Sequence, residues 1–169
     1  ESTILDMTDT PPMILRPGAV TREMLEELIG EVAVDQTLLK ADSRTAPKAP
    51  GMKYRHYAPK ANLVVVEGEV EKVTAWIRET AATKQQEGKR VGIIATEETK
   101  ESYPDGDVKV AGTRADEATI ASSLYGILRE FDGDGVDEIY SEAFASGGIG
   151  AAVMNRLLKA AGHQVIRIT

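Results

Sequence analysis

The chain has 169 residues, a formal net charge of −7, no cysteine and a hydrophobic fraction of 42%, the make-up of an ordinary globular protein with room for one sizeable core. Its acidity argues against a nucleic-acid-binding surface spread over the whole body, because phosphate binding needs clustered Lys and Arg. The missing cysteine excludes disulfides, thiolate metal sites and thiol catalysis, and no apolar run approaches the length of a membrane span.

Glu1 comes first, and "STILDM" follows at once as an alternating, strand-like run with no leader pattern before it. A trimmed or processed terminus explains this plainly. The sharper expectation is a chain that begins inside a larger protein. "PMILRPG" reads as a second short strand, and Thr21 then caps the helical "REMLEELIG", which carries Glu23 and Glu26 near its positive end and stops at Gly30. Two short strands and one helix cannot enclose a core alone, so residues 1–31 must lean on something else. Residues 32–62 show no sustained period and read as a long connection, which inside a compact domain is functional or a linker.

Residues 63–169 differ in texture. "NLVVVEG", "RVGIIAT", "VKVAG", "DEIYSEAF" and "QVIRIT" are apolar runs of the kind found in buried parallel strands. Between them, Val70, Val73, Trp76, Ile77 and Thr80 fall on one helical side, as do Ala121, Leu124, Tyr125 and Leu128, and then Val153, Met154, Leu157, Leu158 and Ala161. The alternation predicts an α/β fold: a Rossmann-like, open, mainly parallel five-stranded sheet with flanking helices.

Four constellations are candidates for chemistry. In "ASGGIGAAV", Gly148 and Gly150 make a G-x-G where a dinucleotide turn would sit, but Val153 takes the third glycine position. A tight turn that lets the helix pack closely is the preferred explanation. The carboxylates Asp132, Asp134, Asp137 and Glu138 miss the closing Glu of a calcium loop and read as a solvated turn. His163 follows a helix-ending Gly and is ordinary turn chemistry; with two histidines and no cysteine, zinc is not expected. The stretch "APGMKYRHYAPKA", residues 49–61, is basic and aromatic within an acidic chain. Lys53, Arg55 and Lys60 can neutralise phosphate oxygens, while Tyr54, His56 and Tyr57 can stack on a base or hydrogen-bond a ribose. Ligand contact and a basic tether pinning two acidic parts together remain equally open. Arg16, braced by Pro17 and Gly18 at a strand end, is another good place for phosphate contact.

"STILDM", "ILRPGAVT", "PGMKYRHYAPKA" and the closing "GIGAAVMNRLLKAAG" together resemble the long, two-domain form of threonylcarbamoyl-AMP synthase over essentially the whole chain. The resemblance implies that residues 1–31 are the tail of a YrdC-like catalytic domain, 32–62 a linker with the gating motif KYRHY, and 63–169 the Rossmann-like C-terminal domain. It implies a nucleotidyltransferase that condenses L-threonine, bicarbonate and ATP to threonylcarbamoyl-AMP and pyrophosphate, for threonylcarbamoylation of tRNA adenosine-37. Ser2 then matches a serine that holds threonine. Arg16 matches an arginine on the ATP phosphates, and Lys53, Tyr54, Arg55, His56 and Tyr57 match a segment touching nucleotide. ATP enters as substrate with Mg2+ as its counter-ion; the protein is expected to be cytoplasmic and to pass its product to tRNA threonylcarbamoyl-transfer proteins. No metal site of its own and no membrane are expected, and direct tRNA binding is left open. The chain by itself, lacking the front of the catalytic domain, is expected to be inactive. The C-terminal domain is left as a scaffold for the linker, an independent nucleotide- or effector-binding module, or a protein-interaction domain.

Overall fold

The computed structural model describes residues 2–38 and 58–169. Along them run β1 (Ile4–Asp6), β2 (Met13–Arg16), α1 (Arg22–Ile29), β3 (Ala33–Val34), β4 (Asn62–Glu67), α2 (Val70–Gln86), β5 (Val91–Ala95), β6 (Asp107–Val110), α3 (Glu117–Asp134), β7 (Glu138–Glu142), α4 (Gly148–Ala160) and β8 (Val165–Arg167). Short 3₁₀ turns occupy Gln36–Leu38 and Lys100–Ser102.

The larger part is a five-stranded sheet in the order β6-β5-β7-β4-β8, and every neighbouring pair is parallel. Its central strands read as unbroken apolar runs because both faces are covered, and alternate residues serve opposite layers. Leu63 and Val65 of β4, Ile94 of β5 and Ile139 of β7 join Leu124, Leu128, Phe131, Val153 and Leu157 beneath α3 and α4. Val64, Val66, Ile93 and Tyr140 point the other way, against Val73, Ile77 and Ala81 of α2. There Trp76 meets the Tyr140 ring edge-on, with centroids 5.9 Å apart.

The smaller part is a three-stranded sheet, with β1 antiparallel to β2 and β2 parallel to β3. The Thr21 hydroxyl caps α1 by accepting from the Met24 N–H at 3.3 Å, and the Gly30 N–H closes the helix on the Glu26 carbonyl at 3.0 Å. None of the α1 side chains is buried, and Leu28 is 83% exposed.

Some details depart from the sequence expectations. β3 lies beyond residue 31, where the connection was expected to begin, and Val32 is fully buried. Two residues are too few to carry a strand period. Asp132 and Asp134 belong to the last turn of α3, not to a loop, and the four carboxylates of that stretch serve different neighbours. Asp132 accepts from the Lys60 N–H, Asp137 from the Arg90 N–H, Asp134 pairs with Lys109, and Glu138 accepts from the Tyr140 hydroxyl. Val70 and Tyr125, placed on apolar faces by their spacing, are exposed, and Arg156 stacks over the Tyr125 ring at 5.6 Å.

Candidate functional site

Antiparallel pairing sets Ile4 opposite Arg16, so the residues just before β1 fall beside the end of β2. There the Arg16 Nε donates to the Ser2 carbonyl at 3.0 Å, and the Thr3 hydroxyl donates to the Val20 carbonyl at 2.6 Å. Two residues fourteen positions apart in sequence are thus held together by strand register. One of the five guanidinium donors is spent on positioning the side chain. Lys53, Tyr54, Arg55, His56 and Tyr57 lie outside the described residues.

The glycine turn does something other than bind an anion. Gly148 opens α4 with a left-handed φ of 55°, and the Gly150 N–H donates to Glu117 Oε2 at 3.0 Å. Glu117 is the first residue of α3, so the positive end of α4 already faces a carboxylate of this chain. Glu23 of α1 reaches the same end. Its carboxyl is held below the ordinary range chiefly by its own backbone N–H, with the Thr21 hydroxyl and the Gly148 N–H among the further donors. A phosphate at this turn would meet two negative charges. The geometry therefore speaks against dinucleotide binding here and for a structural joint between α1, α3 and α4.

Between the small sheet and α4 lies a cavity of about 410 Å³. The small lobe contributes Ile14, Val20, Val34 and Leu38, and α4 contributes Ala151, Met154, Asn155 and Leu158. Met154 and Leu158, which the spacing assigned to the core, pack half-buried against the core cluster beneath α3 and α4 and also line this space. Asn155 is only 6% exposed, and its Oδ1 is buried with no hydrogen-bond partner among the described residues. An unmade buried hydrogen bond of this kind costs about 1–3 kcal/mol.

A second feature escaped the sequence reading. Glu142, fully buried at the end of β7, accepts from the Tyr103 hydroxyl at 2.7 Å and pairs with Arg114 Nη2 at 2.5 Å. Arg114 also donates to the Ala143 carbonyl at 3.1 Å and lies over the Phe144 ring. Burial, reinforced by the Glu142 charge, pushes the Tyr103 hydroxyl well above its ordinary value and keeps it a donor. The signal was present in "EIYSE": a charge closing a core strand demands a buried partner. This network sits at the carboxyl ends of the strands, where α/β sheets usually open a ligand crevice, and fills it with protein groups.

Fold and site define a two-part α/β protein: a parallel-sheet body, and a small lobe that presents an arginine at a strand end. The family model for the C-terminal domain of threonylcarbamoyl-AMP synthase (Sua5_C) matches residues 20–162, and the chain belongs to that family. It is 47% identical over 167 residues to the threonylcarbamoyl-AMP synthase of Bacillus subtilis, covering 99% of this chain and 46% of the relative. It is 44% identical over 168 residues to that of Pyrococcus abyssi, covering 99% and 47%. The chain thus spans about half the length of the curated relatives it matches. Among solved structures, P. abyssi Sua5 complexed with L-threonine superposes with a TM-score of 0.86 at 42% identity, covering all of this chain and 48% of that one. A P. abyssi Sua5 variant with adjacent His and Tyr residues each changed to Ala gives 0.87 at 43% identity, covering 99% and 46%. The C-terminal Sua5 domain from Pyrococcus horikoshii gives 0.53 at 34% identity, covering 66% of this chain and all of that one.

Proposed function

We propose that this chain forms part of an L-threonylcarbamoyladenylate synthase, which joins L-threonine, bicarbonate and ATP into threonylcarbamoyl-AMP and pyrophosphate for modification of tRNA adenosine. The observation that carries the reading is the Ser2–Arg16 contact at 3.0 Å, which holds the two small-lobe residues proposed for threonine and ATP in one place. Sharing of the relatives' name and the threonine complex of P. abyssi Sua5 support it.

In this scheme Ser2 holds threonine. Arg16, with its guanidinium steered by the Ser2 carbonyl, takes phosphate oxygens of ATP through charge-assisted hydrogen bonds. Lys53 and Arg55 add positive charge where pyrophosphate departs, and Tyr54, His56 and Tyr57 supply flat surfaces against nucleotide. His56–Tyr57 is the sole adjacent His-Tyr pair in this sequence, the dipeptide type altered in the P. abyssi variant. Covering the product with these side chains excludes water, which would hydrolyse the mixed anhydride. Mg2+ arrives as the counter-ion of ATP. The product passes to tRNA threonylcarbamoyl-transfer proteins, and the whole works in the cytoplasm. In the described residues no helix is long and apolar enough to cross a membrane. The chain alone, without further catalytic residues, is inactive in this scheme.

The test is steady-state synthesis of threonylcarbamoyl-AMP by the intact enzyme carrying Arg16→Ala, Arg55→Ala or Tyr54→Ala. The arginine variants are expected to lower kcat/KM for ATP about a hundredfold, as loss of a positioned charge does. Unchanged turnover together with unchanged KM for ATP would refute the reading.

A further inference from the structure

We infer that Thr3 is a positioning residue for the proposed synthesis, one that acts through Ser2 and Arg16 by pinning the start of β1 to the start of α1. The inference rests on the proposed roles of Ser2 with threonine and of Arg16 with ATP.

Three observations carry it. The register of β1 on β2 begins at Ile4 opposite Arg16, so Ser2 and Thr3 lie beyond the ladder, where strand pairing alone does not hold them. Thr3 supplies a tether: its hydroxyl donates at 2.6 Å to the Val20 carbonyl, 17 positions away. Val20 is a firm anchor because it directly precedes Thr21, the cap of α1. The Thr21 hydroxyl accepts from the Met24 N–H, and its carbonyl accepts from the Leu25 N–H at 3.2 Å. The segment held in this way is the one on which Arg16 rests, since the Ser2 carbonyl takes the Arg16 Nε at 3.0 Å. That contact uses neither the Ser2 hydroxyl nor the Nη groups of Arg16. It therefore sets the hydroxyl proposed for threonine and the fork proposed for phosphate together. Thr3 itself donates to protein, so its part is to place these two groups.

The experiment compares Thr3→Val, which keeps the shape of the side chain and removes the donor, with Thr3→Ser, which keeps the donor. In the intact enzyme Thr3→Val is expected to raise KM for ATP and KM for threonine together. Each should rise about fivefold, the worth of one hydrogen bond, with kcat little changed. Thr3→Ser should bring both back toward the wild-type values. A general loss of folded enzyme would instead lower kcat and leave both KM values in place. A second readout needs no synthesis. In NMR spectra of the isotope-labelled chain, the Arg16 Nε proton should exchange with water faster in Thr3→Val than in the wild type or Thr3→Ser. Should circular dichroism show that Thr3→Val fails to fold, Thr3→Ala takes its place in both measurements. Unchanged KM values in Thr3→Val beside a raised KM for ATP in Arg16→Ala would overturn the inference and leave the proposed function standing. A rise in only one KM would overturn it too, as would an unchanged Nε exchange rate. If Arg16→Ala itself leaves KM for ATP unchanged, the proposed function falls, and the role of Thr3 falls with it.

Discussion

Glu98 accepts from the Thr113 hydroxyl and, at 2.9 Å, from the Arg114 N–H. It ties the turn after β5 to the loop after β6, and so aims the Arg114 side chain inward at Glu142. The Thr113 hydrogen bond is the chief cause that brings the Glu98 carboxyl down from 4.5 to about 2, assisted by backbone donors. A carboxyl whose folded value lies below its unfolded one binds fewer protons when folded, so stability rises with pH through that window. The contribution is fully present above pH 4.5 and is lost as the pH falls toward 2. Glu98→Gln should therefore lower stability at neutral pH and flatten the acid limb of the stability profile, as read by urea denaturation at a series of pH values. The change should be small, because Glu98 is exposed and solvent screens it. An acid limb as steep as in the wild type would show that Glu98 does not steer this loop.

At the scale of elements, α4 is the joint on which the other parts meet. A Cβ on Gly150 would stand 2.3 Å from the Ala145 carbonyl oxygen and 2.8 Å from the Glu117 carboxylate. The first obstacle is backbone and cannot move aside cheaply. Gly150→Ala is expected to destabilise by about 1–3 kcal/mol, the usual cost of overpacking, measured by denaturant unfolding. Wild-type stability would show that α4 can slide without cost. The close-packing reading of this glycine pair was legible from "GGIG"; its partner was not, because Glu117 lies 33 positions away and no local pattern records which carboxylate will meet a helix end. The same distinction runs through the fold. β4, β5 and β7 were legible because parallel strands buried on both faces must be apolar without a break. Strand order and the two-residue β3 depend on tertiary placement. Arg16 stood out at a strand end in "ILRPG" and Ser2 entered only through the family resemblance; their contact needed the antiparallel register of β1 on β2.

In the whole molecule, stability is unevenly divided. Both core clusters belong to residues 58–169, whereas the small lobe's buried hydrophobic residues are Ile14, Leu15, Val32 and Leu38. Strands of three, four and two residues with a helix that buries nothing fall short of what an independent sheet needs. The P. horikoshii C-terminal domain, a solved structure covering 66% of this chain, is in keeping with a body that stands alone. Residues 58–169 expressed by themselves should unfold in one cooperative transition at nearly the denaturant midpoint of the whole chain, and residues 1–38 by themselves should show no transition. Hydrogen exchange should be slowest at β5 and β7, which lie inside the sheet beneath helices on both faces, and fastest in α1, whose apolar Met24 and Leu28 face solvent. A midpoint that drops by half on removing the lobe would mean that the joint at Gly148, Gly150, Glu117 and Glu23 contributes to the core, and not only to the placement of Arg16. In that case the small lobe and the parallel-sheet body would be a single cooperative unit, and substitutions at the α4 terminus would alter stability and the placement of Arg16 together.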